Sequence, residues 1–176
     1  MQYDTLIRNA TVIDGNNTPG YRADVAILNG RIERIGDLHD ASATEEIDAA
    51  GRVLAPGFID VHTHDDTVVI RQPQMLPKLS QGVTTVIVGN CGISASPVSL
   101  KGNPPDPMNL LGSSAAFVYP RFSDYRAAVE AANTTLNVAA LIGHTALRSN
   151  HLDDMLRTAT PDEIAPEPSV TPVPSP

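Results

Sequence analysis

The stretch Pro56-Gly57-Phe58-Ile59-Asp60-Val61-His62-Thr63-His64-Asp65-Asp66 decides how the rest of the chain is read. A Pro-Gly pair opens it, a short apolar run follows, and the run ends in histidines and acids. Alternate residues of a strand face the same side, so His62 and His64 project together. Two imidazoles spaced this way can grip one divalent ion. Asp65 and Asp66 follow directly and can orient a histidine ring through its second nitrogen, as outer carboxylates do in metal sites. Taken alone, the pair is equally two strand-end histidines, one solvated and one hydrogen-bonded.

Downstream, the same arrangement recurs. Val83-Thr84-Thr85-Val86-Ile87-Val88 is a β-branched run typical of a strand buried on both faces. It runs into Gly89-Asn90-Cys91-Gly92. A thiolate at Cys91 is a soft ligand suited to zinc, whereas an isolated free cysteine is more often a small buried hydrophobe. Leu136 to Ile142 is a third buried strand, followed by Gly143-His144-Thr145. His144 there either lines a pocket or holds an outer ligand, or is a loop histidine with a backbone partner. Pro73 to Gln81 reads as a short helix interrupted by Pro77, and Ser123 to Ala132 as a better one, with Ser123 as its cap and Tyr125, Ala128, Val129 and Ala132 on one face. Strands alternating with helices predict parallel βαβ units, hence an α/β fold. Three successive strand ends then carry His62 and His64, Cys91, and His144, which is what a metal site of an α/β barrel requires. Residues 92–122, rich in proline, glycine and serine, form a loop long enough to be functional or disordered. His39 and His151 lie in polar stretches and read as surface residues.

Upstream, residues 3–36 read as short strands. Ala23 to Leu28 and Arg31 to Gly36 flank Asn29-Gly30, the pair that suits a two-residue hairpin turn with positive φ at both positions. The expectation is a small antiparallel, β-sandwich-type module over residues 1–52, followed by α/β structure over 53–164.

The motif at 56–64 resembles the first-strand signature of the amidohydrolase superfamily. Gly82 to Gly92, with Asn137 to His144 and Leu147-Arg148, is similar to the N-acyl-D-amino-acid deacylase family. That resemblance, from about Tyr3 to Ile164, implies the first strands and helices of a TIM-type (β/α)8 barrel. It also implies zinc as cofactor and a small-molecule N-acyl-D-amino acid as substrate. The implied metal ligands are His62, His64 and Cys91. Cys91 would serve a tightly held ion, and the histidines a second, weaker position. Asp65, Asp66 and His144 fall to outer or pocket-lining roles. The general base implied by the family is an aspartate of the last strand, which has no counterpart in this sequence. Alternatives are a catalytically inactive fragment, or a hydantoinase, dihydroorotase or isoaspartyl-dipeptidase relative. Cys91 favours the deacylase.

The chain has 176 residues, 41% of them hydrophobic and 4% aromatic, with a formal net charge of −8. A nucleic-acid surface is not expected, because it needs clustered Lys and Arg. No apolar run is long enough for a membrane helix, and no basic segment followed by an apolar one marks a secretory signal. A cytoplasmic location is expected. Six of the 15 prolines fall between Pro161 and Pro176. Thr160-Pro161-Asp162-Glu163-Ile164 opens a helix, yet residues 165–176 have no helical or core-forming pattern. This predicts an irregular proline-rich tail and suggests a truncated or frameshifted product.

Overall fold

The structure is a computed structural model that describes residues 2–100 and 102–164. The proline-rich tail expected over 165–176 lies outside the described residues. The chain divides into two compact units, Met1–Gly57 and Phe58–Pro176.

The first unit is built on β1 (Gln2–Val12), which pairs antiparallel with β2 (Tyr21–Leu28); β2 pairs antiparallel with β3 (Arg31–Gly36). Asn29 and Gly30 take φ of 53° and 71° between them, as the hairpin reading predicts. On its other side β1 pairs parallel with β4 (Ser42–Asp48) and then with β5 (Val53–Leu54). Two expectations are therefore corrected. The module is one mixed five-stranded sheet, not an antiparallel sandwich-type module. Its boundary lies after Gly57, not after residue 52, because Val53 and Leu54 complete the edge of β1. The polar Ser-Ala-Thr-Glu-Glu-Ile-Asp run of β4 is exposed along most of its length, so it carries no hydrophobic alternation to read. Leu6, Ala26, Tyr3 and Leu38 form one buried cluster, and Ala10, Val12 and Val25 another.

The second unit carries the parallel sheet β6 (Phe58–Asp60), β7 (Val83–Val88) and β8 (Asn137–Ala140), in that order. Between β6 and β7 lie two one-turn helices, α1 (Val68–Arg71) and α2 (Leu76–Leu79). The helix expected over 73–81 shrinks to α2 because Pro77 fits only a first turn. The longer α3 (Phe122–Ala132) precedes β8. Arg121, not Ser123, is its N-cap residue, and the predicted face holds: Tyr125 is buried, with Ala128, Val129 and Ala132 partly so. After β8 come α4 (His144–His151) and α5 (Pro161–Ile164).

Val86 and Val88 of β7 pack with Val69, Met75, Ala95, Tyr125 and Leu136. Thr85 and Ile87, on the opposite face of β7, are only half-buried and Thr84 is exposed, so the expected burial of this strand on both faces is corrected: it is buried only at Val86 and Val88. Residues 92–121 are not a bare loop. Ile93, Val98, Met108, Leu111 and Phe117 bury together against Ala146 of α4. Asn150 of α4 ties the segment further, accepting from the Ser99 amide at 2.8 Å and donating to the Pro97 carbonyl at 3.0 Å. Among the described residues, no helix is long and apolar enough to cross a membrane.

Candidate metal centre

Parallel pairing sets Asp60 opposite Val86, and the Thr63 amide donates to the Ile87 carbonyl at 3.3 Å just beyond β6. The ends of β6 and β7 therefore lie side by side, and their following segments meet. There the side chains of His62, His64 and Cys91 converge, one ligand atom from each lying within 4.8 Å of the others. His62 Nε2 stands 2.8 Å from Cys91 Sγ, and the two imidazoles meet edge to face with centroids 5.7 Å apart. His62 and Cys91 are exposed and His64 is partly buried. Nδ1 of His64 is buried without a hydrogen-bond partner among the described residues. Leaving such an atom unpaired costs on the order of 1–3 kcal/mol.

Cys91 reaches this position through an unusual backbone. Its φ is 55°, left-handed for a residue with a Cβ, between Gly89 at 80° and Gly92 at 75°. Gly89 is required on two counts. A Cβ there would sit 2.1 Å from the Leu141 carbonyl oxygen, and its φ is positive. Gly143 is the mirror case, since a Cβ would lie 2.5 Å from the Gly92 carbonyl oxygen. The two glycines let the loop after β7 press against the segment after β8. Two backbone bonds, Leu141 N to the Val88 carbonyl at 2.9 Å and Thr145 N to the Gly92 carbonyl at 2.7 Å, hold it there.

The acids next to the histidines have other partners than expected. Asp65 accepts from Thr63 Oγ1 at 2.6 Å and pairs with Lys78 Nζ at 3.1 Å. Asp66 is 1% exposed and accepts from the amides of Gly89 and Ala95 at 3.3 and 3.1 Å. Neither carboxylate hydrogen-bonds a histidine ring, so the expected ring-orienting contact is corrected: backbone and lysine donors take their oxygens. Burial pushes the Asp66 carboxyl above its ordinary pKa, opposed by those two amides. His144 opens α4, is exposed, and is not part of the ligand cluster. His39 and His151 are exposed, as expected.

Lys78 escaped the sequence reading. From α2 its Nζ donates to Asp60 and, at 3.1 Å, to Thr63 Oγ1, besides pairing with Asp65. The three residues it holds alternate with the two histidines. The hydrogen bond from Lys78 keeps the Asp60 carboxyl below its ordinary pKa. Burial opposes the charge on Lys78, yet its bonds to Asp60 and Asp65 carry its pKa above the usual value. The one signal in the sequence was a lone basic residue inside an otherwise uncharged Pro73–Gln81 segment.

Comparison with known proteins agrees with this architecture. The family model described as "Amidohydrolase family" matches residues 45–169, and the chain belongs to that family. Within it, the chain is 48% identical over 163 residues to the D-aminoacylase of Alcaligenes xylosoxydans xylosoxydans, covering 93% of this chain and 34% of that protein. It is 46% identical to the N-acyl-D-aspartate deacylase of the same organism, covering 93% and 33%. A crystal structure of D-aminoacylase superposes with a TM-score of 0.87 at 48% identity, over 92% of this chain and 34% of that one. The N-acyl-D-glutamate deacylase of Bordetella bronchiseptica, solved with zinc and a phosphonate inhibitor, superposes with a TM-score of 0.86 at 42% identity, over 93% and 34%. The mixed α/β fold is thus that of the N-terminal part of D-aminoacylase, and the chain spans about a third of the length of the relatives it matches.

Proposed function

We propose that the protein is a zinc-dependent amidohydrolase that removes the acyl group from N-acyl-D-amino acids, and that His62, His64 and Cys91 converge on one metal ion, in place of the two separate positions the family resemblance implies. The observation that carries this reading is the convergence of two imidazoles and one thiol beyond adjacent strand ends, with a buried His64 nitrogen that has no partner among the described residues. The donor set fits zinc, which takes imidazole nitrogen and thiolate sulfur. Neighbouring ligands of a tetrahedral zinc ion stand roughly 3.3–3.8 Å apart. The 2.8 Å between His62 Nε2 and Cys91 Sγ is within an ångström of that range. Bound zinc supplies Lewis acidity, polarising an amide carbonyl and lowering the pKa of water. The chain's own part is to aim three ligands from two strand ends and to brace them with Lys78 and Asp66.

We read β6, β7 and β8 as consecutive strands of a (β/α)8 barrel, whose sites lie at the C-terminal strand ends. The names of the relatives support a small N-acyl-D-amino acid as substrate. Cys91, a free thiol, suits the reducing cytoplasm. Asp65, Asp66 and His144 keep outer roles in this reading, with Asp66 acting on the cysteine loop and not on a histidine ring.

One observation favours a second reading, metal binding without turnover. Asp65 and Asp66, the two carboxylates next in sequence to the ligand histidines, are both engaged by other groups. A single assay separates the two. Zinc-loaded protein is incubated with N-acetyl-D-amino acids and their L enantiomers, and free amine is measured. Release from the D series that disappears in Cys91→Ser supports the deacylase. Release from neither series, with zinc bound, supports the second reading.

A further inference from the structure

Asp66 presents a problem that the metal site alone does not solve. It is a carboxylate, 1% exposed, with no cation among the described residues bonded to it. Burying such a group is costly unless its oxygens are satisfied. Its two oxygens go to two backbone amides: Oδ2 accepts from Gly89 and Oδ1 from Ala95. Gly89 lies two residues before Cys91 and Ala95 four residues after it. One carboxylate thus closes both ends of the seven-residue segment that carries the thiol.

That segment needs holding. Cys91 sits in the left-handed region, which persists for a non-glycine residue only when its surroundings over-determine it. The chemistry of the clamp is also specific. Both partners are N–H donors, so the group between them must accept twice. A carboxylate does so. An asparagine of the same shape offers one oxygen and one N–H₂, and the latter would face an N–H. Asp66 is also two residues past His64, so the same side chain fixes the cysteine loop to the strand end that carries the histidines.

We infer that Asp66 is the positioning residue that sets Cys91 against His62 and His64. The inference rests on the metal reading for its consequence, but not for its geometry. Its effect runs through the loop, not through contact with the ion.

The test uses the whole chain with cobalt(II) as probe, plus amide hydrogen exchange on the metal-free protein. In the unmutated chain the Gly89 and Ala95 amides are expected to be protected. Asp66→Asn is expected to cut that protection, to weaken cobalt binding by about 10-fold or more, and to reduce the thiolate-to-cobalt absorption per bound ion. The control is Tyr125→Phe. Its hydroxyl donates to the Asp66 backbone carbonyl at 2.8 Å, so this variant loosens the same residue without touching the carboxylate. It is expected to lower the melting temperature while leaving cobalt affinity and absorption within about 2-fold. A folded Asp66→Asn with the cobalt affinity and spectrum of the unmutated chain overturns the inference. So does a Tyr125→Phe variant that loses both as fully. If Asp66→Asn does not fold, exchange in the unmutated chain decides, and unprotected Gly89 and Ala95 amides overturn it. If the unmutated chain gives no thiolate-to-cobalt absorption, the metal reading fails by itself, and amide protection still tests whether Asp66 holds the loop.

Discussion

His62 and Cys91, 29 residues apart in sequence, bring Nε2 and Sγ to 2.8 Å. The register explains the meeting. Asp60 pairs with Val86, so His62 is level with Val88, and Cys91 lies three residues beyond that level. The left-handed turn at Cys91, with φ of 55°, brings the thiol back toward the histidines. Without that turn the two strands would still pair, but the imidazole and the thiol would not share a site.

Gly89→Ala tests the turn. The new Cβ would overlap the Leu141 carbonyl oxygen at 2.1 Å, and the residue would keep a φ of 80°. Backbone cannot yield as a flexible side chain does, so the loss of stability is expected to exceed about 2 kcal/mol in a urea melt. A melt unchanged within 0.5 kcal/mol (roughly the scale of a neutral surface change) would contradict the close approach of the two segments.

Lys78→Met tests the brace under the histidines. It leaves Asp60 and Asp65 facing each other without their shared cation. The side chains are about a quarter exposed, so solvent blunts the penalty. A loss of about 1–2 kcal/mol is expected. Faster amide exchange confined to residues 60–65 would show that the lysine acts locally. A variant as stable as the unmutated chain would count against it.

Glu163, which takes no part in the ligand cluster, gives a pH signature of its own. Arg157 holds its carboxylate, and the Thr160 amide and hydroxyl donate to it at 2.8 and 3.0 Å. These contacts pull its pKa down from 4.5 to about 2. The depressed value fixes the sign. Its contribution to the α5 turn is complete above pH 4.5 and is lost as the pH falls toward 2. The Glu163 carboxyl carbon, followed by NMR, should titrate near the lower value. A midpoint near 4.5 would mean the capping contacts do not form in solution.

Much of the site could be read in advance because strand ends are local properties of the sequence. The ends of two strands could be placed in advance, and Cys91 follows a β-branched run typical of a strand. But β6 stops at Asp60, so the expected strand alternation does not reach His62 and His64, which meet Cys91 in the segment beyond it. The hairpin at Asn29-Gly30 was legible for the same reason. The parts that escaped depend on distant partners. Nothing near Asp66 in sequence reveals that its oxygens will meet Gly89 and Ala95. Lys78 gains its role only once the fold brings α2 within reach of Asp60, Thr63 and Asp65. The strand at Ser42–Asp48 is recognised by its pairing with β1, not by its composition.

The proposed centre has His62, His64 and Cys91 holding one metal ion together. Titrating the metal-free chain with cobalt(II) and recording the near-ultraviolet spectrum tests it most directly, because Cys91 is the single cysteine and any thiolate-to-cobalt absorption must come from it. The expected absorption saturates with added cobalt, vanishes in Cys91→Ser, and needs markedly more cobalt in His62→Ala and in His64→Ala. No such absorption in the unmutated chain, or one indifferent to both histidines, would contradict it.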